Sequence, residues 1–172
     1  MTAIDVMYTA EQIQERIVDL GVEIREAYGD LPITAVGVLK GSIIFMADLV
    51  RSIDGDLTME FLGVSSYRGT QSSGEVQITH DLKVAIEDRH VLIIEDIVDT
   101  GLTLSFLIKT LRVRNPASLK VVTLLDKPSR RQVPVQVDWI GFSIPDEFVI
   151  GYGLDYDQKY RNLPYIGIYK GS

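Results

Sequence analysis

Twice in this chain an apolar run leads directly into a polar turn and then into an amphipathic helical pattern, and this repetition constrains the fold more than any other feature. Ile33-Thr34-Ala35-Val36-Gly37-Val38-Leu39 is a short apolar strand closed by Lys40-Gly41-Ser42, and residues 43–53 follow with helical spacing. The same order returns over residues 90–95, 96–101 and 102–114, and residues 119–126 supply another apolar strand. Strands alternating with helices in this way predict an α/β fold built on a mainly parallel sheet.

The rest of the chain is read around that frame. Thr9, with Gln12 three residues on, forms a capping box, and Ile13, Ile17, Leu20 and Ile24 follow at helical spacing, predicting a first helix over residues 9–28. Residues 57–67 and 75–80 read as strands joined by Arg68-Gly69-Thr70-Gln71-Ser72-Ser73-Gly74, a polar, glycine-bearing candidate for a mobile loop. From Val135 onward short strands and turns are expected. No repeat, low-complexity tract or linker marks a boundary, so residues 1–172 are expected to form a single domain large enough to bury a core.

Composition narrows the function classes. The chain has no cysteine, hence no disulfide framework, thiolate metal site or thiol nucleophile, and only two histidines, which leaves zinc chemistry poorly supported. A net charge of −7 argues against nucleic acid or anionic lipid as a partner, although anionic small molecules can still be held by a few aimed donors. No apolar run approaches the roughly 20 residues that span a bilayer, and the first residues lack a basic segment followed by an apolar stretch. A cytoplasmic location is expected.

The most informative stretch is Val91-Leu92-Ile93-Ile94-Glu95-Asp96-Ile97-Val98-Asp99-Thr100-Gly101-Leu102-Thr103-Leu104. Glycine lets backbone approach a phosphate closely, Thr100 and Thr103 can donate hydroxyl hydrogen bonds, and the first-turn N–H groups of the following helix aim at the same spot. That combination predicts a monophosphate cradle. Glu95 and Asp96 would repel a phosphate but could accept hydrogen bonds from ribose hydroxyls or hold a hydrated magnesium ion. A sugar phosphate satisfies both halves.

This segment resembles the signature loop with which type I phosphoribosyltransferases bind phosphoribosyl pyrophosphate. Leu39-Lys40-Gly41-Ser42, Ser66-Tyr67, Leu125-Asp126-Lys127, the run from Phe148 to Tyr156, and Arg161 resemble, in order, the remaining motifs of the hypoxanthine-guanine members. The resemblance implies that family's fold: a central, mainly parallel twisted sheet flanked by helices, a small hood over the purine, and a mobile loop that includes Ser66 and Tyr67. It implies that Glu95 and Asp96 contact ribose, directly or through Mg²⁺, while Asp99, Thr100, Gly101, Leu102 and Thr103 hold the 5′-phosphate. Asp99 would also act as general acid/base near purine N7. Lys127 would bind the purine O6, Phe148 would stack on the base, and the backbone at Val149 would read its edge. Asp155 would join the magnesium ligands, and Lys40, Gly41 and Arg161 would bind pyrophosphate. The implied reaction transfers phosphoribosyl to hypoxanthine, guanine or both, by a homodimer or homotetramer.

Each residue also has a plainer reading. Glu95 and Asp96 alone could be solvated carboxylates at a strand end; Lys127 alone reads as a surface lysine, and Phe148 as core. Asp155 and Arg161 could form an exposed charged turn, and His80 and His90 receive no role. Two other classes compete. A regulator that keeps this fold but binds nucleotides and RNA would be expected to carry a basic stripe and to lack the Glu-Asp-Ile-x-Asp pattern. An aspartic protease would continue Asp-Thr-Gly as strand and loop, whereas Leu104, Leu107, Ile108 and Leu111 keep helical spacing here. Leucine at position 102 is familiar in bacterial members, where vertebrate ones carry lysine.

Overall fold

A computed structural model of the chain describes residues 4–67 and 75–171. Helix α1 spans Ala10–Tyr28, and its capping box is formed: Thr9 Oγ1 accepts from Gln12 N at 3.3 Å while Gln12 Oε1 accepts from Thr9 N at 2.9 Å. Its buried stripe consists of Ile13, Ile17, Leu20, Ile24 and Tyr28, the spacing that one face of a helix requires.

The large sheet contains β2 (Ile33–Leu39), β3 (Leu57–Tyr67), β4 (Glu75–His80), β5 (His90–Val98), β6 (Ser118–Asp126) and β7 (Trp139–Ser143). Its spatial order is β4-β3-β2-β5-β6-β7; all neighbours are parallel except β4, which runs antiparallel to β3. Helices α2 (Ile43–Val50) and α3 (Leu102–Arg112) are the crossovers that such pairing needs. Alternation along β5 divides the core in two. Leu92 and Ile94 pack with Ile13, Ile17 and Phe45 on one face, whereas Val91 and Ile93 pack with Leu104, Leu107 and Leu111 on the other. Each such side chain contributes roughly 1.5–3 kcal/mol by leaving water.

A second sheet, antiparallel, is made from the two chain ends: β1 (Ile4–Tyr8), β9 (Ile166–Tyr169) and β8 (Val149–Ile150), in the order β1-β9-β8. Tyr8 stacks on Phe142 of β7 with ring centroids 4.0 Å apart, which joins the small sheet to the β7 edge of the large one.

Several boundaries differ from the sequence expectation. Strand β5 continues to Val98 rather than stopping at Glu95, because Ile97 and Val98 still pair with Leu125 and Asp126 of β6. Asp96 therefore belongs to the strand, not the turn. Ser66 and Tyr67, expected in the mobile loop, are the last residues of β3, where they pair with Val76 and Glu75. The expected loop 68–74 lies outside the described residues. No helix among the described residues is long and apolar enough to cross a membrane.

Candidate active site

The carboxyl ends of β2, β5 and β6 lie on one edge of the sheet, and the chain there turns into polar segments. At the end of β5, Gly101 takes a left-handed conformation (φ 85°) and caps α3 without any side-chain hydrogen bond. A Cβ at this position would meet Val133 O at 2.9 Å and would carry the strain of a positive φ as well. The first turn of α3 is thereby left open to an outside acceptor, apart from Leu102 N, which donates to Thr100 Oγ1 at 3.3 Å. Glu95, Asp99, Thr100, Gly101 and Thr103 line a hollow of about 90 Å³ in front of it. Leu102 itself turns its side chain outward.

Next to this hollow lies a cleft of about 270 Å³ whose walls include Gly41, Glu95, Asp96, Thr103, Asp155 and Arg161. Burial drives the Glu95 carboxyl well above its usual range, with the charge of Asp96 adding to the effect. Burial also pushes Asp96 up to about 6, against the opposing pull of Ile97 N, which donates to Asp96 Oδ1 at 2.8 Å, and of Arg161. The turn after β2 approaches so closely that a Cβ on Gly41 would overlap the Asp96 carboxylate, whose carbon lies 2.6 Å away. The Leu39–Lys40 peptide that begins this turn is cis.

Glu95, Asp96 and Asp155 do not form a ready-made metal cage: no three carboxylates or imidazoles converge on one point among the described residues. The donors are nevertheless all oxygen, and Mg²⁺ takes only one or two carboxylates, filling its octahedron with water and substrate oxygens. Three carboxylates facing one guanidinium also leave the cleft short of positive charge for any polyphosphate. In both respects the residues fit Mg²⁺.

Arg161 closes the far side of the cleft. Its Nη1 donates to Gly153 O at 2.7 Å, and its Nη2 lies 3.0 Å from Asp155 Oδ1 and 3.2 Å from Gln158 Oε1. Lys40 reaches the same Gln158 oxygen at 3.4 Å, although the two residues are far apart in the chain. The loop carrying these groups is anchored from behind, where the buried Tyr152 hydroxyl donates to Asp48 of α2, which also accepts from Gln14.

Lys127 lies on the other side of Asp99. It is 7% exposed, which sets aside the surface-lysine reading, and its N–H donates to Val98 O at 2.9 Å, so it is fixed beside the end of β5. Its ammonium is 3.8 Å from Asp146 Oδ1; Arg130 bridges onward from Asp146 Oδ2 (3.7 Å) to Asp99 Oδ1 (3.1 Å). Phe148 is 51% exposed and is not a core residue. Its ring meets Tyr156 and Tyr169 edge-on at 5.9 and 6.1 Å, a rigid mount for a stacking face. Val149, buried in β8, pairs with Ile168.

Gly41, Glu95, Asp96, Asp99, Thr100, Gly101, Thr103, Asp155 and Arg161 thus surround two adjoining hollows at the end of β5, with the Lys127 backbone bonded beside them, whereas Val149 belongs to the small sheet and Phe148 packs against it. Four further residues that the sequence did not single out are Arg130, Asp146, Gln158 and Tyr152. A larger groove of about 580 Å³, between Asp126 and Ile140, holds none of the expected site residues.

Comparison with known proteins agrees with this geometry. The family model described as "Phosphoribosyl transferase domain" matches residues 6–157. A hypoxanthine-guanine phosphoribosyltransferase of Bacillus subtilis is 53% identical over 166 residues, covering 96% of this chain and 92% of the relative. The Staphylococcus epidermidis protein of the same name is 52% identical, covering 98% and 94%. The crystal structure of a Staphylococcus aureus hypoxanthine phosphoribosyltransferase superposes with a TM-score of 0.92 at 50% identity, over 96% of this chain and 91% of that one.

Proposed function

The chain belongs to the phosphoribosyl transferase domain family, and we propose that it transfers the phosphoribosyl group of phosphoribosyl pyrophosphate to hypoxanthine, guanine or both, forming the nucleotide and pyrophosphate. The observation that carries this reading is the arrangement at the end of β5. A phosphate-sized hollow, a carboxylate cleft and a buried lysine adjoin one another there, and Asp99 lies between hollow and lysine.

The donor's 5′-phosphate would sit in the hollow, on the open N–H groups of α3 and the hydroxyls of Thr100 and Thr103. Glu95 and Asp96 would take the ribose hydroxyls, leaving the pyrophosphate toward Gly41, Lys40 and Arg161. Mg²⁺, held by Asp96 and Asp155 together with substrate oxygens, would supply positive charge for the departing pyrophosphate. A 6-oxopurine would lie on Phe148, its edge read by the backbone at Val149 and its O6 accepting from Lys127. Adenine is disfavoured there, since its amino group would set donor against donor. Protonated at N7, the base presents the N9 lone pair to the anomeric carbon. As the C1–N9 bond forms and the C1–O bond to pyrophosphate breaks, Asp99 takes the N7 proton. Carboxylates near the ribose favour the positive charge that develops on its ring.

As implied by the family, residues 1–172 would act as one catalytic domain in the cytoplasm, assembled as a homodimer or homotetramer. The test is nucleotide formation from phosphoribosyl pyrophosphate and Mg²⁺, with hypoxanthine, guanine, xanthine, adenine and uracil offered separately. Turnover with hypoxanthine or guanine but not adenine or uracil is expected. Donor binding with no reaction of any base would overturn the enzyme reading in favour of a nucleotide-binding regulator.

A further inference from the structure

Lys40 and Arg161 come from segments far apart in the chain, yet both direct a donor at one atom, Gln158 Oε1, at 3.4 and 3.2 Å. Ammonium and guanidinium groups only donate, so the acceptor must be the amide oxygen and not its nitrogen. Among the described residues Lys40 Nζ has no other hydrogen-bond partner. A single neutral oxygen thus stands where two cations converge, which is the position best suited to an anionic oxygen of pyrophosphate. We infer that Gln158 is a placeholder: its amide oxygen occupies a pyrophosphate-oxygen position in the ligand-free enzyme, preorganises Lys40 and Arg161, and is displaced when donor or product binds. This rests on the reading of Lys40 and Arg161 as pyrophosphate ligands.

The turn does not depend on that side chain. Its shape is held by Gln158 N donating to Asp155 Oδ2 at 2.8 Å and by the paired Tyr156 and Lys159 backbone bonds at 3.1 and 3.0 Å, all of which survive replacement of the Gln158 side chain. Arg161 likewise keeps its bonds to Gly153 and Asp155. The chemistry of the residue fits the role. A carboxylate here would pair strongly with both cations and repel an incoming polyphosphate, whereas an amide oxygen yields to a doubly charged one. Each bond the amide makes to Lys40 and Arg161 is one the ligand must break, so Gln158 would lower pyrophosphate affinity and ease product release.

The experiment is calorimetric titration of magnesium pyrophosphate into the full chain and into Gln158→Met, Gln158→Glu and Arg161→Met, with KM for phosphoribosyl pyrophosphate measured in parallel. Methionine keeps the length without the acceptor and is expected to bind about 3- to 10-fold tighter; glutamate is expected to bind weaker by a similar factor, with KM following in both. A purely structural role would weaken both variants. Unchanged or weaker binding by Gln158→Met, while Arg161→Met binds poorly, overturns the placeholder alone. Wild-type affinity in Arg161→Met would instead overturn the pyrophosphate reading of this corner, and the placeholder with it.

Discussion

Arg130 Nε donates to Asp99 Oδ1 at 3.1 Å, so the carboxylate proposed to move the purine proton is already held by the short turn that follows Lys127. The pair is half exposed, and an ion pair so open to water adds little stability of its own. Its consequence is geometric: Asp99 and Lys127 are tied through Arg130 and Asp146 at the two ends of the base edge they would read. Asp99→Asn keeps the shape of that end and its contact to Arg130 but cannot accept the N7 proton. Turnover should fall by about 10²- to 10⁴-fold with KM for phosphoribosyl pyrophosphate little changed. Equal losses in turnover and donor binding would sink the proton-transfer role.

Lys127 is buried, and among the described residues its ammonium ends near Asp146 alone, an ion pair too long to account for burying it. A substrate carbonyl gives it a better partner. Lys127→Ala should cost about 10- to 150-fold in kcat/KM for hypoxanthine, as expected for one charged hydrogen bond, and should narrow the preference over adenine. Competition between the two bases would check this, and an unchanged preference would remove the O6 contact.

What the sequence could and could not show follows from how each feature is encoded. The helix starts, the apolar strands and the segment from Glu95 to Thr103 are local patterns, and they were legible with boundaries good to a few residues. The sequence alone predicts too short a β5, because Glu95 and Asp96 look like a strand end; pairing with β6 extends it through Val98 regardless. The small sheet joins Ile4–Tyr8 to Ile166–Tyr169, and a pairing across nearly the whole chain leaves no local trace. Gln158 and Arg130 escaped for the same reason. Each is an ordinary polar residue in a turn, and only the fold reveals that Lys40 or Asp99 lies within reach.

Gly41 tests the closeness of the two halves of the cleft. A Cβ there overlaps the Asp96 carboxylate, which is half-buried and held by Ile97 N, so moving it aside breaks that bond. Gly41→Ala should displace the Lys40 turn or Asp96 and raise KM for phosphoribosyl pyrophosphate by about 10-fold or more, since sub-ångström shifts at such a site are costly. Circular dichroism should stay native. A donor KM equal to wild type would mean that the turn and Asp96 separate freely.

The anchor behind the same loop gives a prediction in pH. The Tyr152 phenol is raised above its usual range, first by burial and then by its hydrogen bond to the Asp48 carboxylate, which favours the protonated form. A folded-state pKa above the unfolded value means that the native chain keeps a proton the unfolded chain releases. The stabilisation is therefore complete below about pH 10 and is lost as the pH climbs through the range between the two values. Near pH 8, Tyr152→Phe should be less stable by about 0.5–1.5 kcal/mol, the net worth of one hydrogen bond. Above pH 10 the wild-type chain should lose a further ~1.4 kcal/mol per pH unit that the variant does not, so the two curves converge and then cross within the next unit or so. Urea unfolding of both proteins from pH 8 to 11.5 measures this directly, and Tyr28, which burial also raises, is common to both and cancels. A gap that stays constant across the range would show that the hydroxyl at position 152 does not remain protonated in the folded chain, and that Asp48 holds the loop in some other way.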